Sequence, residues 1–300
     1  MYQQIRTDLA MEARELWREG APGAASLPGV RSEERERDGF FLTTVEITDE
    51  QGEQALGKPR GKYVTLELDS LMRREENAFA TACRLLAEEL RSILDLEENS
   101  SLLVAGLGNR AITPDAIGPE TVDSVMVTRH LRRQLPEYFG SFRSVSAVCS
   151  GVLGTTGIES GELVSAVCRR LKPDIVIAVD ALASRKPDRL CRTVQISDTG
   201  IVPGSGVGNA REALCRDTLG VPVIALGVPT VVDAGTLAVD LASAAGAELD
   251  PEQFGEAGRM IVTPRDIDRN VSDIAKLLGY SINLALHDGL TLEDVDMFLS

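Results

Sequence analysis

The sequence predicts an α/β protein in which one mostly parallel sheet lies between two layers of helix, a three-layer α/β/α arrangement. Three observations predict it. From residue 101 onward, short apolar runs (LLVAGLG, SVSAVCS, DIVIAVD, TVQISD and VPVIALGVP) alternate with stretches of helical periodicity. Most of these runs are apolar at consecutive rather than alternate positions, as in strands covered on both faces. Finally, 43% of the 300 residues are apolar, ample for one sizeable core.

Taken in order, residues 1–38 are polar and charged, and RTDLAMEARELWREG has the pattern of a short amphipathic helix. The small, proline-rich and charged GAPGAASLPGVRSEERERDG that follows is expected to make this region a loosely attached arm. FFLTTVEIT (40–48) and KYVTLELD (62–69) have the β-branched alternation of strands and are expected as a hairpin on one side of the core. Residues 75–94 place Ala78, Ala82, Leu85, Leu86, Leu90 and Leu94 at helical intervals. The alternation then predicts helices over 118–135, 159–171, 210–219 and 234–245, with a short polar helix before TVQISD. The C-terminal segment 265–300 is expected to be helical, and its final helix begins at a cap formed around Thr291 and Glu293.

Composition excludes several classes of function. A net charge of −15 argues against direct binding to nucleic acid, which depends on Lys and Arg neutralising phosphates. The five cysteines are widely spaced without metal-ligand pairing, as expected of reduced core thiols, and only His130 and His287 offer imidazole. That leaves little material for a zinc hydrolase or a Ser-His-Asp triad, and no cofactor is expected. No run of about 18 apolar residues is present, and the N-terminus lacks a basic flank followed by an apolar core, so a cytoplasmic chain without membrane association is expected.

Two aspartates draw attention. In LLVAGLGNRAITPDAIGP (102–119), a strand runs into a glycine turn and then Asp115; in PDIVIAVDALAS (173–184), an apolar strand is expected to end on Asp180. Each alone suits a helix cap. Both, however, are expected at carboxyl ends of strands in one parallel sheet, where side chains from distant sequence converge on one crevice. Two carboxylates held close do not both ionise easily, so one keeps a proton and acts as an acid while the other draws a proton from water. Gly106, Gly108 and Asn109 resemble the start of a dinucleotide turn, but G-x-G-x-x-G is not completed. The glycine-rich loop 197–211, with Gly204 and Gly206, could cradle a phosphate or a peptide backbone, but it lacks the Lys-Ser/Thr ending of a P-loop, and backbone plasticity near a groove is the more economical reading. Arg185 could select an acidic side chain, although a solvated surface pair with Lys186 is again the more economical reading.

RTDLAMEA, GLGNRAITPDAIGPETV, SGVLGTTGIES, VIAVDALASRKPDRLCRTVQISDTGIVPGSGVGNAR and VPVIALGVPTVVDAGT, in this order, resemble the germination proteases of spore-forming bacteria. The resemblance implies a fold similar to the hydrogenase maturation proteases (phosphorylase/hydrolase-like) and a tetrameric endopeptidase. Its substrates would be the small acid-soluble proteins that coat spore DNA, degraded in the spore core when germination starts. It implies that Asp115 and Asp180 are the catalytic pair. It also implies a zymogen that removes its own N-terminal propeptide at a site imitating the substrate, an acidic residue followed by an apolar residue and alanine. Here that site is Asp8 followed by Leu9 and Ala10, giving a propeptide of residues 1–8 and a single peptidase domain over 9–300 with an arm at 9–38. Two other readings stay open: a metal-sensing peptidase of the hydrogenase-maturation kind, for which His130 is poorly placed, and a non-catalytic peptide- or nucleotide-binding module.

Overall fold

The computed structural model describes residues 7–21, 27–205, 208, 211–247, 249 and 254–300. Helix α1 (Ala10–Gly20) precedes strands β1 (Val30–Arg37) and β2 (Phe40–Ile47), after which α2 (Glu50–Leu56) leads into β3 (Gly61–Glu67) and α3 (Asp69–Met72) into the long α4 (Ala78–Ile93). Next come β4 (Ser101–Gly106), α5 (Ile117–Asp123), α6 (Arg129–Gln134), α7 (Pro136–Phe139), β5 (Ser144–Cys149), α8 (Leu153–Thr156) and α9 (Ser160–Leu171). The chain continues through β6 (Ile175–Ser184), β7 (Thr193–Ser197), α10 (Arg216–Leu219), β8 (Val223–Asp233) and α11 (Ala234–Ala244). It closes with β9 (Ile261–Val262), α12 (Ile267–Leu286) and α13 (Leu292–Leu299).

The nine strands among the described residues share one sheet in the order β1-β2-β3-β7-β8-β6-β4-β5, with β9 on β8. The parallel part is the half formed by β5, β4, β6 and β8. Antiparallel pairing extends it through β7, β3, β2 and β1. The reversal at β7 has a simple cause: residues 185–192 are too few for the crossover of a dozen or more residues that a parallel return requires.

Alternation along the strands sorts their side chains onto two faces. On one face Val104, Ile177, Val179, Leu226 and Leu66 pack with Leu85 and Leu86 of α4 and with Ile274 and Leu278 of α12. Each such fully buried leucine contributes roughly 1.5–3 kcal/mol of transfer free energy. The opposite face is covered in two pieces. Leu103, Ala105, Val176 and Ala178 pack with Val164 and Cys168 of α9, while Val45, Tyr63 and Leu182 pack with Leu9, Ala10 and Met11 at the start of α1. The three layers are therefore helix, sheet, and a second layer made of α9 and the N-terminal segment.

Three expectations are corrected. While 1–6 and 22–26 of the expected arm lie outside the described residues, 7–21 and 27–38 are not loosely attached: Leu9 and Ala10 are fully buried, and 30–37 is an edge strand paired with β2 along its whole length. Its sequence, VRSEERER, is charged because it is an edge, and Arg35 and Arg37 pair with Glu89 and Glu88 of α4. The expected helix 118–135 is broken into α5 and α6. Asn283 of α12 accepts from the Met126 N–H and donates to the Ser124 carbonyl, drawing the chain out of helix, and Pro136 then starts α7. The expected hairpin of β2 and β3 is paired, but it carries helix α2 in its connection.

Candidate active site

Strand β4 ends at Gly106, and the chain folds straight back over it. A Cβ on Gly106 would lie 2.4 Å from the Gly118 carbonyl oxygen, so α5 seats itself directly on the strand end. Gly108 has φ +105°, and a Cβ there would fall 2.1 Å from the carbonyl oxygen of Asp115. Only glycine permits both the conformation and the approach. The short 3-10 turn Thr113–Asp115 is held from the other side by Thr230 Oγ1, which donates to the Pro114 carbonyl at 2.6 Å. The Asn109 N–H donates to Asp115 Oδ2 at 2.9 Å, fixing the half-buried carboxylate. Burial raises the Asp115 pKa, and the Asn109 N–H opposes that shift.

Asp180 is not at the end of its strand, since β6 runs on to Ser184, and it caps no helix. It is nevertheless the first residue beyond the end of β4, whose last partner on β6 is Val179. Asp180 is 5% exposed and Oδ1 accepts from the Ala181 N–H at 2.9 Å. Burial first, and then the neighbouring charge of Asp115, hold its carboxyl well above the ordinary carboxylate range; the charge of Asp8 adds to the same effect. The two aspartates are thus brought into one electrostatic unit, with Asp180 the harder to ionise.

The N-terminal segment meets this site. The Asp8 N–H donates to the Ala183 carbonyl at 2.9 Å, and the Ala183 N–H donates to Asp8 Oδ2 at 2.8 Å, on the stretch of β6 that has outrun β4. Asp8 Oδ1 accepts from Ser205 Oγ at 2.7 Å. The Asp8 carbonyl, which belongs to the peptide bond joining it to Leu9, accepts from Lys58 Nζ at 2.9 Å and from Gln195 Nε2 at 3.2 Å. Gln195 Oε1 accepts from the Ala10 N–H at 2.8 Å, so one side chain grips the backbone on both sides of Leu9. Leu9 and Ala10 are fully buried against Leu182 and Tyr63. Glu12, also fully buried, accepts from the backbone N–H groups of Arg185 and Lys186, locking the start of α1 to the end of β6. Burial pushes the Lys58 ammonium down in pKa, and the carboxylates of Asp8 and Glu12 push it back. A cavity of about 660 Å³ opens beside Thr7 and Asp8, with Arg60, Tyr63, Ser205 and Arg216 in its walls.

Arg185 neither receives the acidic side chain of Asp8 nor stands as a solvated surface residue. Its guanidinium is held by Asp240, through Nε and Nη2, and by Glu19, through Nη1. The acidic side chain of Asp8 is received instead by the Ala183 N–H and Ser205. Gly204 has φ +72° and precedes that serine, while Gly206 lies outside the described residues. Gly106 and Gly108 shape the turn beneath Asp115, and the Asn109 N–H is spent on it. His130 sits exposed on α6. Among the described residues no group of three or more His, Cys, Asp or Glu side chains is placed to hold a metal ion. Glu12, Gln195 and Ser205 lie inside the segments that carry the family resemblance and Lys58 outside them, but nothing local marks any of the four as functional; only tertiary pairing assembles them.

Residues 10–244 match the family described as Germination protease. The chain is 44% identical to the germination protease of Caldanaerobacter subterraneus subsp. tengcongensis, over 98% of each chain. It is 40% identical to that of Clostridium tetani, over 99% of each. The germination protease of Oceanobacillus iheyensis is 46% identical over 79% of this chain and 66% of its own. Among solved structures, a NiFe hydrogenase maturation protease, HycI from Thermococcus kodakarensis KOD1, overlaps 65% of this chain and 98% of its own with a TM-score of 0.36 and 16% identity.

Proposed function

The chain belongs to the germination protease family of peptidases, and from that premise we propose that it is a self-processing endopeptidase whose Asp115 and Asp180 hydrolyse the bond after an acidic residue. The observation that carries this reading is the bond between Asp8 and Leu9, bound as an extended segment against β6 within electrostatic reach of Asp180. An acid followed by an apolar residue and alanine is the pattern of that segment, and its surroundings supply a reason for each position. The Ala183 N–H and Ser205 hydroxyl suit a carboxylate, and fully buried surroundings suit an apolar residue and then a side chain no larger than alanine.

In the reaction, Asp115 draws a proton from water as the water attacks the carbonyl carbon of Asp8. Asp180, kept protonated by burial and by its neighbour, then protonates the departing Leu9 nitrogen. Residues 1–8 leave as the propeptide. The substrates in trans are small acid-soluble spore proteins, cut in the spore core at germination by a homotetramer, without direct contact to nucleic acid or membrane. Among the described residues no helix is long and apolar enough to cross a membrane.

Intact mass before and after incubation at mildly acidic pH tests this. Loss of residues 1–8 from the wild-type chain, and its abolition in both Asp115→Asn and Asp180→Asn, is expected. Full processing in either variant sinks the assignment.

A further inference from the structure

The carbonyl that hydrolysis after Asp8 must attack is not free: it accepts two hydrogen bonds from side chains that come from separate parts of the fold. Lys58 reaches it from the connection between α2 and β3 at 2.9 Å, and Gln195 from the middle of β7 at 3.2 Å. Gln195 is 8% exposed, and its orientation is fixed at both ends, because Oε1 is occupied by the Ala10 N–H at 2.8 Å. With the oxygen spent on an N–H, the amide NH₂ is the end that faces the Asp8 carbonyl. The strand register explains how Gln195 comes to face the catalytic side. Gln195 pairs with Gly227 of β8, and Gly227 pairs with Asp180 of β6, so the three stand in one row across the sheet. Directly paired residues point to the same face. The middle member of the row is glycine, and a Cβ there would lie 2.3 Å from Leu182 Cδ1, so Leu182 covers the gap between the two functional side chains.

We propose that Gln195 and Lys58 are catalytic residues that form the oxyanion site of this peptidase, holding the carbonyl oxygen of the residue before the cleaved bond. The proposal rests on cleavage after Asp8. When water adds to that carbonyl carbon, the C=O π electrons move onto the oxygen, and the water proton goes to the ionised aspartate. The negative charge then sits against an ammonium and an amide N–H that are already in place. Collapse returns the electrons to a C=O bond, breaks the bond from carbon to the Leu9 nitrogen, and gives that nitrogen the proton of the protonated aspartate. No other reactant is needed. Donors aimed at developing charge in a site shielded from water are among the larger contributors to catalysis, typically about 10²–10³-fold each. By accepting from the Ala10 N–H, Gln195 also keeps the departing side of the bond in register while the first side is attacked.

The test is the first-order rate at which the full chain loses residues 1–8, followed by intact mass, in Gln195→Met, Lys58→Met and Lys58→Arg, with circular dichroism to establish folding. Both methionine variants remove a donor at nearly constant volume and are expected to process about 10²-fold more slowly, while Lys58→Arg, which keeps a cationic donor, recovers most of the rate. A folded Gln195→Met or Lys58→Met chain that processes at the wild-type rate overturns the proposal. Should Gln195→Met not fold, the Lys58 pair decides, and equal slowing in Lys58→Met and Lys58→Arg counts against an electrostatic role. Wild-type chain that is never cut between Asp8 and Leu9 overturns the cleavage reading itself, an outcome distinct from wild type that is cut and variants that are unimpaired.

Discussion

At the scale of single residues, the two aspartates are legible in the sequence and their surroundings are not. Asp115 and Asp180 stand in unbroken local sequence, after a glycine turn and inside an apolar strand, so motif and pattern both lead to them. Ser205, Lys58 and Gln195 are ordinary polar residues in their own segments and become functional only where β6, β7 and the N-terminal segment meet. Ser205→Ala removes one hydrogen bond to the Asp8 carboxylate. A bond to a charged group contributes about 1.5–3 kcal/mol, so processing should slow by roughly ten-fold or more; Asp8→Asn with Ser205 intact should slow at least as much, since the charge is lost and, with the amide oxygen kept on Ser205, the amide NH₂ meets the Ala183 N–H, which donates to Oδ2 in the wild type. Asp180 makes a second prediction. Its folded pKa lies above its unfolded value, so the stability it contributes is fully present at low pH and is lost as pH rises through the folded pKa. Asp180→Asn should therefore melt higher than wild type at about pH 8, and the gap should narrow toward about pH 4; a gap that widens on acidification contradicts the shift.

At the scale of elements, apolar periodicity locates the buried strands and the helices α4, α9, α11 and α12 within a few residues. It fails where burial does not govern the pattern. Strand β1 is hidden from it because an edge strand exposed on one side carries Arg and Glu at nearly every position. Helix 118–135 is overextended by periodicity because the feature that ends α5, the grip of Asn283 on Ser124 and Met126, comes from a helix far along the chain. The turn from β4 to α5 is the element on which the site depends most. Gly108→Ala places an L-residue at φ +105° with its Cβ against the Asp115 carbonyl, and such a conformation costs of order 1–3 kcal/mol where it is tolerated at all. Urea unfolding should register that loss, and self-processing should fall further than stability, because relief of the clash moves Asp115 away from Asp180. A Gly108→Ala chain with reduced stability but undiminished processing would show that this turn does not position the carboxylate.

At the scale of the whole molecule, the sequence conveys a layered α/β fold, but not that the sheet changes from parallel to antiparallel at β7, nor that the N-terminal segment completes the second layer. That segment buries the Glu12 carboxylate, and a group at the opposite side of the fold responds to pH in the opposite sense. His287 follows α12 and is 3% exposed, with its ring edge-on to Phe142 and neither ring nitrogen hydrogen-bonded among the described residues. Burial, reinforced by Arg143, lowers its pKa from 6.5 to about 4, while Asp288 opposes the shift. A histidine depressed in the folded state contributes stability that is present above its unfolded pKa and is lost as pH falls toward the folded value, here a loss of about 3 kcal/mol between neutrality and pH 4. Asp115, Asp180 and Glu12, all raised, work against that loss over the acid range. Acidification therefore favours the protonated carboxyls around the docked N-terminal segment while it loosens the packing of His287, at the end of α12, against Phe142. Urea unfolding at pH 7.5 and 4.5 separates the two contributions. In His287→Phe, which keeps an aromatic ring but cannot be protonated, stability should fall less on acidification than in wild type. Any cost of fitting the larger ring is common to both pH values and cancels. An identical fall in the two chains would mean that His287 is protonated in the folded state and that acid sensitivity resides elsewhere.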